Sequence, residues 1–286
     1  MLSDKAGCAS HDTRPNVATI PQKGTGMRLV EASRSRDEIN AAEWDARVDL
    51  AAAHRLAVSH GLSEGIFNHF TLAVPGKGDR YYQIPFGLHW SEVTASCLME
   101  VGYDGEVLSG EGEVERSAVC IHAPIHRLYA QQACVLHTHM PFATALARLE
   151  EPRLAALGQT EIAFLDTIAY DDEYTGLALD PAEGERLAHV LGPDRGVLLM
   201  ANHGVLACGR SVAEAYDRLY YFERACQVQL YAMWTGRPLK EVPAHIVART
   251  LRQYAASPSY GGKPACEHHF AALKRLLDRT EPDYAD

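Results

Sequence analysis

The sequence predicts a layered α/β domain with a mainly antiparallel sheet. Three observations carry that prediction. Apolar runs of strand length recur between Gly- and Asp-rich turns, longer stretches with helical spacing are interspersed among them, and the two kinds of run keep no strict β-α-β order. The chain has 286 residues, enough for one large buried core.

Residues 1–38 are polar and aperiodic and read as a flexible N-terminal tail, ahead of a domain over 39–250. The segment "AAEWDARVDLAAAHRLAVSHG" has helical spacing and stops at Gly61, a suitable residue just past a helix end. "FNHFTLAVPG" and "YYQIP" read as strands joined through "PGKGD". "SEVTASCLMEVGYDGEVL" predicts a short helix or strand and then a turn at Asp104-Gly105. "SAVCIHAPIHRLYAQQ" has helical spacing, which Pro124 should kink or open as a first turn. A strand follows, ending in "HTHMP", and then "PFATALARL" as a helix. "GVLLMANHGVLACG" predicts two strands about the turn Asn202-His203-Gly204. The strongest helix is "SVAEAYDRLYYFERACQVQLYAMWTG", opened by Ser211 and Glu214 as a capping box and stopped at Gly236, with Pro238 beyond. "HHFAALKRLLDR" predicts a terminal helix within an extension over 251–286, packing on the domain or on a neighbouring subunit.

Lys plus Arg is 27 and Asp plus Glu is 37, a formal charge of −10, with no basic run. Nucleic acid and anionic membrane are therefore excluded as partners. No stretch is apolar enough to span a bilayer, and the N-terminus lacks the apolar core of a secretory signal. Seven cysteines stand singly, without C-x-x-C spacing and mostly inside apolar runs. Reduced cysteines in a cytoplasmic protein account for them.

Fourteen histidines make coincidence a real competitor to any motif. His137 and His139 nevertheless stand two apart at the end of an apolar strand, so both imidazoles share one face. His203 sits between two strand runs beside Gly204, a residue that permits positive φ and close backbone approach. Three neutral imidazoles with an open position make a catalytic divalent-metal site. Other H-x-H enzymes fail on context. The H-x-H-x-D-H hydrolases need an acid where Pro141 stands, amidohydrolase barrels carry the motif on their first strand, and cupins have no helix like that starting after Ser211.

The stretches "IHAPIHRLYAQQACVLHTHMPFATALA", "IAYDDEYTGLALD" and "LLMANHGVLACGRSVAEAYDRLYYFERACQVQLYA" resemble the class II aldolase/adducin family, as do "HRLAVSHGLSEGIFNHFTLAVPG" and "YYQIPFGLHWSEVTASCL". The likeness runs in order from about Trp44 to Pro243. It implies a three-layer α/β/α sandwich, a homotetramer with active sites between subunits, and a divalent metal on His137, His139 and His203, zinc foremost, with manganese or iron as alternatives. It also implies departures. The sugar-phosphate aldolases carry a catalytic glutamate where this chain has Ala118, and their phosphate-binding residues are replaced by Phe86, Arg116 and Ser117. The pattern is nearer the adducin-like branch.

The resemblance makes Tyr170 a proton donor across a subunit interface, or an interface packing residue, and Asn68 a substrate-loop residue. His122 is either an acid/base or further metal-binding group or a hydrogen-bond support for the metal imidazoles. His126 reads as such a support or as lining the substrate pocket. His69 lines the same pocket or merely ends a strand. Ser117 suits a carboxylate or phosphate, and Arg116 either does the same or is an exposed residue at a helix start. Glu113 and Glu115 either stand in for the missing carboxylate or are solvated residues favouring the following helix N-terminus.

The expected function is a metal-dependent lyase that stabilises an enediolate while a small hydroxy- or oxo-acid loses a carbon–carbon bond, by aldol-type cleavage or decarboxylation. The alternatives are a non-catalytic adducin-like binding domain and a non-haem iron oxygenase on the same site. Adducin continues into a long tail with a basic end, and the stop at Asp286 without a Lys-rich run favours the enzyme.

Overall fold

The computed structural model describes residues 39–256 and 261–286, so the expected tail over 1–38 lies outside the described residues. In chain order the helices are α1 (Ala41–Ser59), α2 (Arg116–Leu128), α3 (Pro141–Ala147), α4 (Gln159–Ile162), α5 (Pro181–Leu191), α6 (Val212–Trp234), α7 (Ala244–Ala255) and α8 (Ala265–Thr280). The strands are β1 (His69–Ala73), β2 (Arg80–Gln83), β3 (Met99–Gly102), β4 (Val107–Ser109), β5 (Cys134–Thr138), β6 (Ile168–Asp171), β7 (Val197–Met200) and β8 (Gly204–Gly209).

All eight strands form one sheet in the order β4-β3-β2-β1-β5-β8-β7-β6. Every neighbouring pair is antiparallel except β6 with β7. Helices cover both faces, which is the α/β/α sandwich. Alternation along each strand divides the core accordingly. Cys134 and Leu136, with Val205 and Ala207, join residues of α1, α3, α6 and α8 on one side. Val135, with Leu206 and Cys208, joins Ile121 and Ile125 of α2 and Leu187, Ala188 and Leu191 of α5 on the other. Burial on both faces explains why β5, β7 and β8 read as nearly unbroken apolar runs rather than alternating ones.

The caps follow the sequence closely. His60 ends α1 and Gly61 follows with φ +69. Ser211 accepts the Glu214 amide at 3.2 Å to open α6, but Glu214 turns its carboxylate to the Arg210 amide at 2.8 Å, so only half of the expected capping box forms. The segment between β2 and β3 forms a single 3-10 turn, Trp90–Glu92. The terminal helix α8 packs on its own chain, burying Phe270, Leu273 and Leu277 in the larger core.

Pro124 does not open α2 but sits inside it. Proline has no N–H, so the Cys120 carbonyl one turn back loses its helical donor. That carbonyl faces Gly184 of α5, where a Cβ would lie 1.6 Å from the oxygen. Only glycine allows the two helices to meet at that point.

Candidate metal centre

The site gathers at the ends of β1, β5 and β8. His137 is the next-to-last residue of β5, in register with His69 of β1 and Leu206 of β8. Its Nδ1–H donates to the Val205 carbonyl at 3.0 Å, which leaves Nε2 as the free acceptor. His139 lies just past the strand, its amide held by Asn68 Oδ1 at 3.2 Å. Its Nδ1–H donates to the Glu64 carboxylate at 2.6 Å, and its buried Nε2 has no partner among the described residues.

His203 arrives from the β7–β8 turn. The left-handed residue there is Asn202, with φ +55, not the glycine the sequence reading favoured. Gly204 serves the close approach instead. A Cβ on it would lie 2.7 Å from His139 Cδ2 and 2.7 Å from the Thr138 carbonyl oxygen. The rings of His137, His139 and His203 stand 4.9–5.2 Å apart, centroid to centroid. One ligand nitrogen from each lies within 4.8 Å of the others.

The orphaned Nε2 of His139, the carboxylate behind it and the carbonyl behind His137 fit a cation-binding centre. Ligating imidazoles commonly donate their second N–H to such oxygens, which fixes the tautomer and the ring. Burial lowers His137 well below the usual histidine range and His203 to about 4, so both are neutral acceptors near pH 7.

A cavity of about 370 Å³ opens over the three rings, and Asn68, His69, Glu115, Ser117 and Arg148 help line it. Asn68 takes φ +72, which turns its side chain toward β5. Behind the cavity runs a buried chain of hydrogen bonds. His69 Nε2 meets Ser117 Oγ at 3.2 Å, and His69 Nδ1 meets His122 Nε2 at 2.8 Å. His122 Nδ1 meets Thr71 Oγ1 at 2.7 Å, and Thr71 meets His126 Nε2 at 2.8 Å. One proton assignment satisfies every link: each N–H or O–H donates toward Ser117, and only His126 Nδ1 is left bare.

That chain settles where the remaining sequence candidates lie. His122 and His126 are buried behind β1 and do not line the cavity, so His122 reaches it only through His69. Arg116 is exposed and gives its Nε–H to the Leu179 carbonyl at 3.1 Å, not to the cavity. Ser117 and Asn68 do line it. Tyr170 lies outside its own chain's cavity; its hydroxyl accepts the Leu154 amide at 3.1 Å and its ring lies under Arg153. Glu113 is exposed as expected, whereas Glu115 is half-buried at the cavity wall. The sequence reading passed over Glu64, Thr71 and Arg148, which no local motif marks.

A mixed sheet between helical layers, with three imidazoles converging beside an open cavity, defines a protein of the class II aldolase fold. Residues 48–230 match the family described as the class II aldolase and adducin N-terminal domain, and the chain belongs to that family. A Pseudomonas aeruginosa protein whose designation as aldolase class 2 is itself provisional is 35% identical over 86% of this chain and 94% of its own. Alpha-adducin of Rattus norvegicus is 31% identical over 81% of this chain, which spans only 33% of that protein. The crystal structure of an aldolase II superfamily protein from Pseudomonas syringae superposes with a TM-score of 0.80 at 35% identity, covering 88% of this chain and 99% of that one. An L-fuculose 1-phosphate aldolase from Glaciozyma antarctica shares the fold, with a TM-score of 0.73 at 22% identity over 85% of this chain and 93% of that one.

Proposed function

We propose that the protein is a metal-dependent lyase that breaks a carbon–carbon bond in a small hydroxy- or oxo-acid, with zinc, or else manganese or iron, held by His137, His139 and His203. The observation that carries this reading is the convergence of three imidazoles, two of them with the second nitrogen tied to an oxygen, beside a cavity. The chemistry a divalent cation supplies there is Lewis-acid stabilisation of the negative charge that builds on substrate oxygen as the bond breaks.

The chain's own residues bind and orient the substrate. Asn68 and Ser117 present hydrogen-bonding groups to substrate oxygens, and Arg148 is the one Lys or Arg side chain among the cavity-lining residues. No hydrogen bond or ion pair engages the Arg148 guanidinium among the described residues, so it is available to an acid's carboxylate. His122, Thr71 and His126 hold the His69 ring against Ser117. Tyr170 serves a neighbouring chain's cavity in a homotetramer, and the protein works in the cytoplasm. The adducin likeness favours a second reading, a binding domain that retains the centre without turnover.

Elemental analysis tests the centre. Wild type is expected to hold about one divalent ion per chain, and His137→Ala and His203→Ala to hold almost none. Wild type that takes up no stoichiometric metal after incubation with zinc, manganese or iron would end the proposal. A panel of small hydroxy- and oxo-acids, assayed with and without chelator for carbon–carbon cleavage, then separates the enzyme from the binding domain. Metal uptake with no cleavage of any acid favours the second reading.

A further inference from the structure

One carboxylate of the cavity has no part in the reading above. Glu115 occupies the N-cap position of α2, yet its side chain caps no amide. It lines the cavity instead, where its Oε1 accepts the Ser117 hydroxyl. Its Oε2 has no hydrogen-bond partner among the described residues. Residue 118, one turn along the same helix face, is a fully buried alanine with nothing to offer. The other carboxylate in the cavity wall, Glu64, is engaged by His139.

We propose that Glu115 is the group that takes a proton from a ligand hydroxyl in this cavity and returns it. The ligand O–H bond breaks, its electron pair stays on the ligand oxygen, and an O–H bond forms at Glu115 Oε2; the return step reverses each change. The inference rests on the metal-centre reading, because a hydroxyl gives up its proton near neutral pH only when its oxygen gains such stabilisation. The surroundings suit the role. Ser117 faces the carboxylate from its own helix and His69 stands beyond Ser117 on β1, with His122, Thr71 and His126 in line behind. Every donor in that line can point toward the carboxylate, which holds it ready to receive. Arg116 is turned away to Leu179, and across the cavity stand Arg148, Glu64 and the three metal-site imidazoles. Burial raises the Glu115 carboxyl above the usual glutamate range, against the opposing pull of the Ser117 hydrogen bond, so the proton is retained longer than on a solvated side chain.

The test counts protons, without turnover. Acetohydroxamic acid, neutral in solution near pH 6, loses its proton when it chelates a divalent metal. A zinc-bound water, with pKa about 7, is still mostly neutral at that pH and cannot absorb the proton. Calorimetric titration of zinc-loaded protein in buffers of different ionisation enthalpy gives the protons released on binding. Wild type is expected to release nearly none and Glu115→Gln nearly one. Glu113→Gln removes an exposed carboxylate outside the cavity lining and is expected to behave as wild type. Equal release by wild type and Glu115→Gln overturns the assignment of Glu115. Absence of any binding by the zinc-loaded wild type overturns the metal-centre reading beneath it.

Discussion

Gly184→Ala is expected to lower stability by about 3 kcal/mol or more, although the substitution adds a better helix former to a helix interior. Local propensity favours alanine over glycine by about 1 kcal/mol. Against that, the new methyl carbon would lie 1.6 Å from the Cys120 carbonyl oxygen and 2.6 Å from its carbon. Both atoms are backbone and cannot swing aside as the end of a long side chain can. Relief requires α2 and α5 to separate, which opens the packing of Ile121 and Ile125 against Leu187 and Leu191. Overpacking of this kind costs about 1–3 kcal/mol when side chains can yield, and more when backbone must move. In thermal unfolding the loss corresponds to roughly 10 °C for a chain of this size. A variant as stable as wild type, or more so, would mean the helices slide apart freely, and the close approach would lose its structural meaning. Because α2 carries Ser117 and Glu115 to the cavity, the variant is also expected to bind cavity ligands less tightly.

The same helix pair shows what could be read in the chain and what could not. The capping residues of α6, the turn between β7 and β8, and the H-x-H at the end of β5 are local patterns, each written within a few consecutive residues. They were legible for that reason. The seat of the Cys120 carbonyl, one turn before Pro124, is not legible, because Gly184 on another helix sets it. His203 could be assigned to the centre, but the close approach that Gly204 permits is set by β5 lying beside β8. The partners of the metal-site imidazoles, Glu64 and the Val205 carbonyl, come from 75 and 68 residues away. No periodicity marks them. The His122 and His126 pair was visible at helical spacing, and both do share a face of α2. What the spacing could not reveal is that the face turns to Thr71 on β1 rather than to the cavity. Arg116 and Glu115 are adjacent at one helix end, and a single residue of offset sends one to a loop carbonyl and the other to the cavity wall.

Buried neutral histidines should make the fold acid-sensitive well above the usual carboxylate range. His54 has no exposed surface, donates Nδ1–H to the Leu50 carbonyl at 2.8 Å, and packs between Phe70 and Trp90. Its Nε2 is buried without a partner, so a second proton there would have neither water nor an acceptor. Burial accordingly lowers it from 6.5 to about 4, and lowers His126 to about 3. Between pH 6.5 and about 4 the unfolded chain therefore binds more protons than the folded one, and acid favours unfolding. Stability from these groups is complete above pH 6.5 and is lost as the pH falls. Each is expected to forfeit about 2 kcal/mol between pH 7 and pH 5, about 4 kcal/mol for the pair, a large share of a typical domain's 5–15 kcal/mol. Glu115 and Glu223 work in the opposite direction, since burial raises both carboxyls and acid then favours the folded state. A single variant separates the contributions. Urea unfolding of metal-free protein at pH 7 and pH 5 is expected to show a gap in stability that shrinks by about 2 kcal/mol in His54→Phe, whatever that variant's stability at pH 7. The replacement keeps an aromatic ring between Phe70 and Trp90 and removes only the titrating nitrogens. If His54→Phe keeps the whole wild-type gap, the folded protein admits a proton at residue 54 at little cost, and the packing of His54 between Phe70 and Trp90 is not dry.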